Sequence, residues 1–386
     1  MIEFKIYTAA IDLPKNEWNG LTLHDIFLQT HYLEAFEKAC PNTICMYYVG
    51  VFNKNQLVGV AVIQRVQLYL KDMFRHEGAT RFKESLQNTL SKFLKGNILV
   101  VGNLTHTGQH GIFVDQTKIS QTQFIEKIFE ACEELTKWIR IERKRKIRLI
   151  LFKDYFKNDS IHLEQSVFEF KKFYKMQVQP NMIMKPRKNW LSTQDYVADM
   201  TTKYRSRFNR ARQKRESIIT KELNIEEIKN HSLDLYKLYK NVSKNASFNT
   251  FILPKNHFLI LKEHLLDDFK VFGYYINNEL IGFYTLILNN KSLETYFLGY
   301  DSEHQHSNQL YLNMLYDMAV YAINNGFESV VYARTAMEIK SSVGAQPETM
   351  FIYLKYTNSF VNALLKQIFN LMNPTQKWEE RRPFKK

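Results

Sequence analysis

Apolar positions along the chain fall into short runs broken by turn signals, and one such arrangement occurs twice. Residues 46–66 (MYYVGVFNKNQLVGVAVIQRV) are two apolar runs around Asn-Lys-Asn-Gln, and residues 271–288 (VFGYYINNELIGFYTLIL) are two around Asn-Asn-Glu. Each predicts a β-hairpin, because two half-buried strands joined by a tight turn need apolar runs flanking a short Asn-rich break. The two segments superpose at one constant offset, Gly50 on Gly273, Asn55 on Asn278, Leu57 on Leu280 and Gly59 on Gly282. The elements after each hairpin also agree in order. After the first come a strand at 97–103, a helix-period stretch at 121–140 and a strand at 148–152. After the second come a strand at 293–300, a helix at 309–324 and a strand at 329–333. Leu310, Leu312, Met314, Leu315, Met318 and Ala322 give the second helix its apolar stripe, and Gly326 just past its end is a stop signal. The first copy carries an extra segment, about 67–95, with another helical pattern.

Ahead of the second hairpin, Ser192 is an N-cap candidate for a charged helix running on to about Ser217. The Pro-containing basic link at Lys185–Lys188 separates the copies, so the expected domains are 1–185 and 186–386. Hairpin, strand, crossover helix and strand make an α/β domain with a mixed sheet and a parallel pair across the helix. The chain is thus read as one fold used twice.

With 386 residues, 45% of them apolar and 24% charged, 13 Gly and 8 Pro, the composition excludes a disordered or fibrous chain. No apolar stretch reaches the roughly 20 residues that span a bilayer. The opening MIEFKIYTAA reads as a strand, not a signal peptide. Cys40, Cys45 and Cys132 are odd in number and form no CxxC, which argues against a disulfide framework and points to the reducing cytoplasm. The net charge of +14 points to an anionic partner and is concentrated in three patches, at 140–148, 203–215 and 377–386. In a helix, Lys203, Arg207, Arg210 and Lys214 share one stripe, where like charges repel unless an anion lies against them. Phe360, Leu364, Leu365, Ile368, Leu371 and Met372 give 359–372 an apolar face. With the basic tail beyond it, this segment suits the anionic inner membrane face.

The element order resembles the GNAT acetyltransferase fold, and a tandem of two is similar to the Fem family of peptidoglycan aminoacyl ligases and to bacterial CelD-like acetyltransferase domains. The segment Arg334-Thr-Ala-Met-Glu-Ile-Lys-Ser-Ser-Val-Gly344 follows a buried strand as the Fem motif Phe-Lys-x-x-Phe-Gly does. Lys340 and Gly344 match its Lys and Gly, while Ile339 and Val343 stand where it has aromatics. Thr202-Lys203-Tyr204-Arg205 resembles the basic helix start of the same family. Two departures matter. The stretch 299–312 (GYDSEHQHSNQLYL) lacks the glycines of the loop that cradles the coenzyme A pyrophosphate at a helix N-terminus. No insertion is long enough for the helical arm of the Fem ligases, which makes a transfer RNA donor the second choice.

The resemblance implies an N-acyltransferase that binds no cofactor tightly and takes acyl-coenzyme A or an acyl carrier protein as donor. The acceptor would be an amine of a lipid, amino-acid or cell-envelope precursor. The substrate is expected in the second domain and the cleft between the two, and the first domain is expected to be structural or to shape the acceptor side. Lys340 is expected to stabilise the oxyanion and Arg334 to hold an anionic group, with Glu294 and Asp301 as candidate proton carriers at a central strand. Lys203, Tyr204, Arg205, Arg207, Gln305, Ser307, Asn308 and Gly344 are expected to bind the donor. His304 and His306 lack the companions of a metal site, so no metal is expected. His106 and His110, in THTGQHG after a strand of the first domain, lie in a loop where an acceptor would sit. The competing reading is a non-catalytic module that docks RNA or membrane.

Overall fold

The computed structural model describes residues 1–68, 96–245, 251–372 and 378–385, so the helical pattern read at about 67–95 lies almost wholly outside the described residues. Two compact units emerge, Met1–Val178 with Ser247–Pro254 and Thr349–Gln376, and Gln179–Ala246 with Lys255–Glu348 and Lys377–Lys386. In chain order the elements begin with β1 (Ile2–Tyr7), α1 (Lys15–Leu21), α2 (Thr30–Lys38), β2 (Ile44–Asn53), β3 (Gln56–Leu68), β4 (Gly96–Val101) and β5 (Ile112–Val114). They continue with α3 (Gln121–Glu142), β6 (Ile147–Phe156), α4 (Gln165–Phe170), β7 (Tyr174–Met184), α5 (Thr193–Ala198), α6 (Thr202–Lys214), β8 (Ile219–Glu222) and α7 (Ile225–Asn230). Next come α8 (Ser232–Asn245), α9 (His257–Leu265), β9 (Phe269–Ile276), β10 (Glu279–Asn289), β11 (Ser292–Tyr300), α10 (Ser302–Asn308) and α11 (Leu310–Asn324). The chain closes with β12 (Ser329–Val331), α12 (Met337–Ser341), β13 (Gln346–Tyr356), α13 (Ser359–Ala363) and α14 (Leu365–Met372).

The sheet of the first unit runs β1-β2-β3-β4-β6-β13, with β5 on β3; that of the second runs β7-β12-β11-β10-β9-β8. Among the described residues each has one parallel pair, β4 with β6 and β11 with β12, and a long helix, α3 or α11, lies between the two strands in sequence. This is the mixed α/β fold used twice that the pattern predicted. The units are discontinuous in sequence. β7, which precedes Lys185, pairs with β12 of the second unit, and β13, from the C-terminal half, pairs antiparallel with β6 of the first. Alternation along a strand says which residues face a core but not which neighbouring strand supplies it, so a single cut at 185 was all the sequence offered.

The repeat holds at the level of contacts. Both hairpins turn through two residues of positive φ, Lys54 and Asn55 (49° and 66°) and Asn277 and Asn278 (49° and 65°), the conformation that matches the twist of the flanking strands. A Cβ on Gly50 would stand 3.0 Å from Leu57 Cδ1, and one on Gly273 would stand 3.0 Å from Leu280 Cδ1. At Gly59 it would meet the Phe124 ring of α3 at 2.6 Å, and at Gly282 the Met314 Cε of α11 at 2.8 Å. In each unit one glycine lets the long helix close on the hairpin.

Two expectations change. The helix read from Ser192 to about Ser217 is two helices. Ser192 does cap α5, accepting from Asp195 N, but the chain breaks before α6. The break is stabilised from outside the helix, since Thr201 N donates to Pro383 O and Lys385 N to Asp199 O. The apolar face read over 359–372 is also divided, at Leu364. Leu365 is buried against Met176, Ile352, Leu354 and Tyr356 of the first unit, whereas Phe360 is 77% exposed. No described helix is long and apolar enough to cross a membrane.

In the second unit a polar network ties α6 to α11. Asp317 accepts from Arg212 at 2.6 Å and from Arg215 at 2.9 Å, and also from the hydroxyl of buried Tyr274. Asn313, fully buried, donates to Ala211 O at 2.9 Å and accepts from Arg212. Removing one partner of such a network strands the others with their desolvation unmet. Asp317→Ala is therefore expected to lower unfolding stability by about 3 kcal/mol, measured as a shift of the urea midpoint at unchanged slope.

Candidate functional site

A cleft of about 830 Å³ opens in the second unit between the N-terminal turns of α6, the α10–α11 junction, α12 and the C-terminal tail. Lys203, Tyr204, Ser206, Arg207 and Arg210 line it from α6, and Gln305, His306, Gln309 and Leu312 from the α10–α11 side. Ile339 of α12 and Arg381 of the tail complete it. Lys203, Arg207 and Arg210 fall on one face of α6 because they are spaced at helical intervals, and none has an acidic partner among the described residues. Arg381 does have partners, Glu338 and Glu379. The cleft therefore presents an excess of fixed positive charge.

The glycine-free stretch 300–312 builds its own wall. Asp301 caps the short α10, accepting from Glu303 N at 3.0 Å, and Gln309 takes a left-handed conformation (φ 49°) that lets α11 start in a new direction. Gln305 Oε1 accepts from Tyr311 N at 3.0 Å, satisfying one free N–H of the α11 N-terminus and leaving its own NH2 as a donor. The positive end of α11 adds to the cationic side chains.

Four of the eight residues read from sequence as donor-binding line this cleft: Lys203, Tyr204, Arg207 and Gln305. The other four are occupied structurally. Arg205 donates to Met200 O at 3.1 Å beside the end of α5, Asn308 donates to Lys214 O at 3.0 Å at the end of α6, and Ser307 donates to His304 O. Gly344 (φ +108°) faces Phe384, where a Cβ would stand 2.5 Å from the ring. Phe384 itself packs on Trp190 and Tyr196, with ring centroids at 4.7 and 5.6 Å. The last residues are thus a strap across the second unit, and the strap carries Arg381 into the cleft. Its charge was legible in the sequence; its destination was not, because a run of Lys, Arg and Glu without period carries no packing signal.

The residues read as catalytic lie apart from the cleft lining. Lys340 is buried, and its Nζ donates to Arg334 O at 2.5 Å and Ala333 O at 3.3 Å. These bonds hold a turn in which Ala333, Thr335 and Ala336 all have positive φ, a conformation that costs energy for residues with a Cβ. Burial without a carboxylate partner pushes the Lys340 ammonium down to about 7, and burial pushes the Arg334 guanidinium down to about 10. Glu294 is buried on β11 opposite Val331 of β12. Among the described residues no group of three or more His, Cys, Asp or Glu is placed to hold a metal ion.

Because the Lys340 value in the fold lies below the ordinary 10.5, the unfolded chain binds the extra proton between those two points, and stability rises with pH across that interval. Below about pH 7 both states are protonated and the contribution is flat. Lys340→Met is expected to flatten the rise, measured as melting temperature from pH 6.5 to 10 in both proteins.

No protein-family model matches the chain, and no curated protein sequence matches it. Among solved structures, FemX superposes with a TM-score of 0.58 at 11% identity, covering 95% of this chain and all of its own. A tandem GNAT protein from the clavulanic acid biosynthesis pathway gives 0.52 at 9% identity over 93% of this chain and 99% of that one. The C-terminal domain of a putative lysylphosphatidylglycerol synthetase from Agrobacterium fabrum gives 0.50 at 8% identity over 93% and 96%. The chain has the tandem GNAT-type fold of the Fem-like acyltransferases.

Proposed function

We propose that the protein is an acyltransferase that moves an acyl group from a phosphate-bearing thioester, acyl-coenzyme A or acyl carrier protein, to an amine of a lipid, amino-acid or cell-envelope precursor. The observation that carries this reading is the cleft, in which three cations without acidic partners among the described residues and the start of α11 converge on one space. Bringing such charges together is unfavourable unless an anion is bound, and phosphates supply it. Lys203, Arg207, Arg210 and Arg381 would contact the donor's phosphates, and Gln305 would donate from its amide. Arg334 would hold an anionic group of the substrate, and Lys340 would act through the turn it holds. Attack by a neutral amine on the thioester carbon forms the amide and releases the thiol, the proton passing from the amine to the departing sulfur. The likeness in fold to FemX keeps an aminoacyl-transfer-RNA donor as the second reading, which the same cationic stripe would serve.

Calorimetric titration of the purified chain with acetyl-coenzyme A, inorganic pyrophosphate and a short single-stranded RNA separates these readings. Coenzyme A and pyrophosphate are expected to bind, and Arg207→Ala/Arg210→Ala to weaken both by about a hundredfold, two charge-assisted contacts at roughly 1.5 kcal/mol each. Binding of RNA alone would sink the thioester donor, and binding of none of the three would sink the cleft as a phosphate site.

A further inference from the structure

The apolar face of 359–372 and the basic tail, close in sequence, part in the fold, because residues 349–376 belong to the first unit and the tail is the strap of the second. A different basic run takes the tail's place. β13 ends beside the start of β6, with Tyr356 opposite Leu149. Thr357 N then donates to Arg148 O at 2.8 Å and its hydroxyl to Ile147 O at 3.0 Å. α13 begins two residues later, and residues 140–146 lead from the end of α3 directly into Ile147. The short helix and this run therefore share one end of the first unit.

Residues 140–146 read Arg-Ile-Glu-Arg-Lys-Arg-Lys, five cations and one acid, and all seven are exposed. Among the described residues none of the five cations has an acidic partner. Arg140 and the cap residue Arg143 sit where the negative end of α3 favours a cation. Lys144, Arg145 and Lys146 lie beyond it, on a turn made by the positive φ of Lys144 (50°) and closed by Arg145 N donating to Ile139 O at 3.3 Å. Residues 69–95, outside the described residues, carry six Lys or Arg against three Asp or Glu, so by composition they do not offset this charge.

The orientation of α13 is set by Asn362, which accepts from Tyr356 N at 2.7 Å and donates to Lys172 O at 3.0 Å. With Asn362 buried, Phe360 and Leu364 are left 77% and 44% exposed, and Ile141 of the basic run is 70% exposed. Lys172 and Lys366 add two more exposed cations beside this helix. Large apolar side chains in water and clustered like charges are each unfavourable alone. A partner that offers apolar depth behind a layer of negative charge relieves both, as an anionic bilayer does. RNA would neutralise the cations but leave Ile141 and Leu364 in water. It would also find the Trp138 ring already covered by the Arg143 guanidinium at 5.5 Å and packed on Tyr47. We propose that this end of the first unit docks on an anionic phospholipid surface, with Ile141, Phe360 and Leu364 entering the interface and the cations of 140–146 meeting the headgroup phosphates.

The test is flotation of the full chain with vesicles of phosphatidylcholine alone and of phosphatidylcholine mixed with phosphatidylglycerol, at low and high salt. Binding to the mixed vesicles only, weakening as salt rises, is expected. Lys144→Gln/Arg145→Gln/Lys146→Gln is expected to weaken it by about a hundredfold for the three charges lost. Phe360→Ser/Leu364→Ser is expected to weaken it by about tenfold, both variants keeping the melting temperature. Arg207→Ala/Arg210→Ala, in the other unit, is expected to float as the unaltered chain does. Equal binding to the neutral vesicles, binding to neither, or unchanged binding in either of the first two variants would overturn the proposal. So would loss of flotation in Arg207→Ala/Arg210→Ala, or a short single-stranded RNA that binds through Lys144–Lys146 while vesicles go unbound. None of these outcomes depends on the pyrophosphate titration of the second unit, so the two readings fail separately.

Discussion

A thirteen-residue helix, α6, carries six cations and no acid, and the candidate site depends on what holds it in place. Alone, such a helix would be disfavoured by its own repulsion. In the fold, Asp317 takes one of these charges, Arg212, together with Arg215 just past the helix end, into a mostly buried network with Tyr274 and Asn313. Tyr204, Phe208 and Ala211 bury the face beside them. With one face clamped to α11, Lys203, Arg207 and Arg210 are left on the side of α6 that lines the cleft.

The C-terminal strap extends the same constraint. Its backbone pairs with the α5–α6 break, Phe384 fills the space that Gly344 leaves, and Arg381 spans to Glu338 of α12. Two features read from sequence as separate, a donor-binding Gly344 and a basic tail suited to membranes, meet in one packing contact. The short segment that carries Arg381 to the cleft is thus anchored through Phe384 against Gly344, Trp190 and Tyr196.

The two units arrange their charged groups differently. The second gathers fixed cations around an open space, whereas the first packs His106, His110, Asp25, Asp154 and Lys153 about one loop. The net charge of +14 describes neither. A sum over the chain says little about any one site, since interactions are screened over about 10 Å at ordinary ionic strength.

The repeat, the hairpins, the parallel pair in each half and the cationic stripe were legible in the sequence, because each rests on local periodicity or on turn residues such as Asn55 and Asn278 that constrain their own backbone. Lys203 and Arg207 share that stripe, while Tyr204 and Gln305 were singled out only through the resemblance; all four line the cleft. What required the tertiary structure was every assignment that turns on a distant partner: β7 and β13 pairing in the units opposite to their sequence neighbours, Arg205 and Asn308 satisfying backbone carbonyls, Lys340 holding its turn, and Arg381 reaching the cleft. Sequence determines which side chains can carry charge and which face they share. Only packing decides which of those charges is already satisfied by the protein and which is left for a ligand, because that depends on groups far apart in the chain and on how much water each has lost.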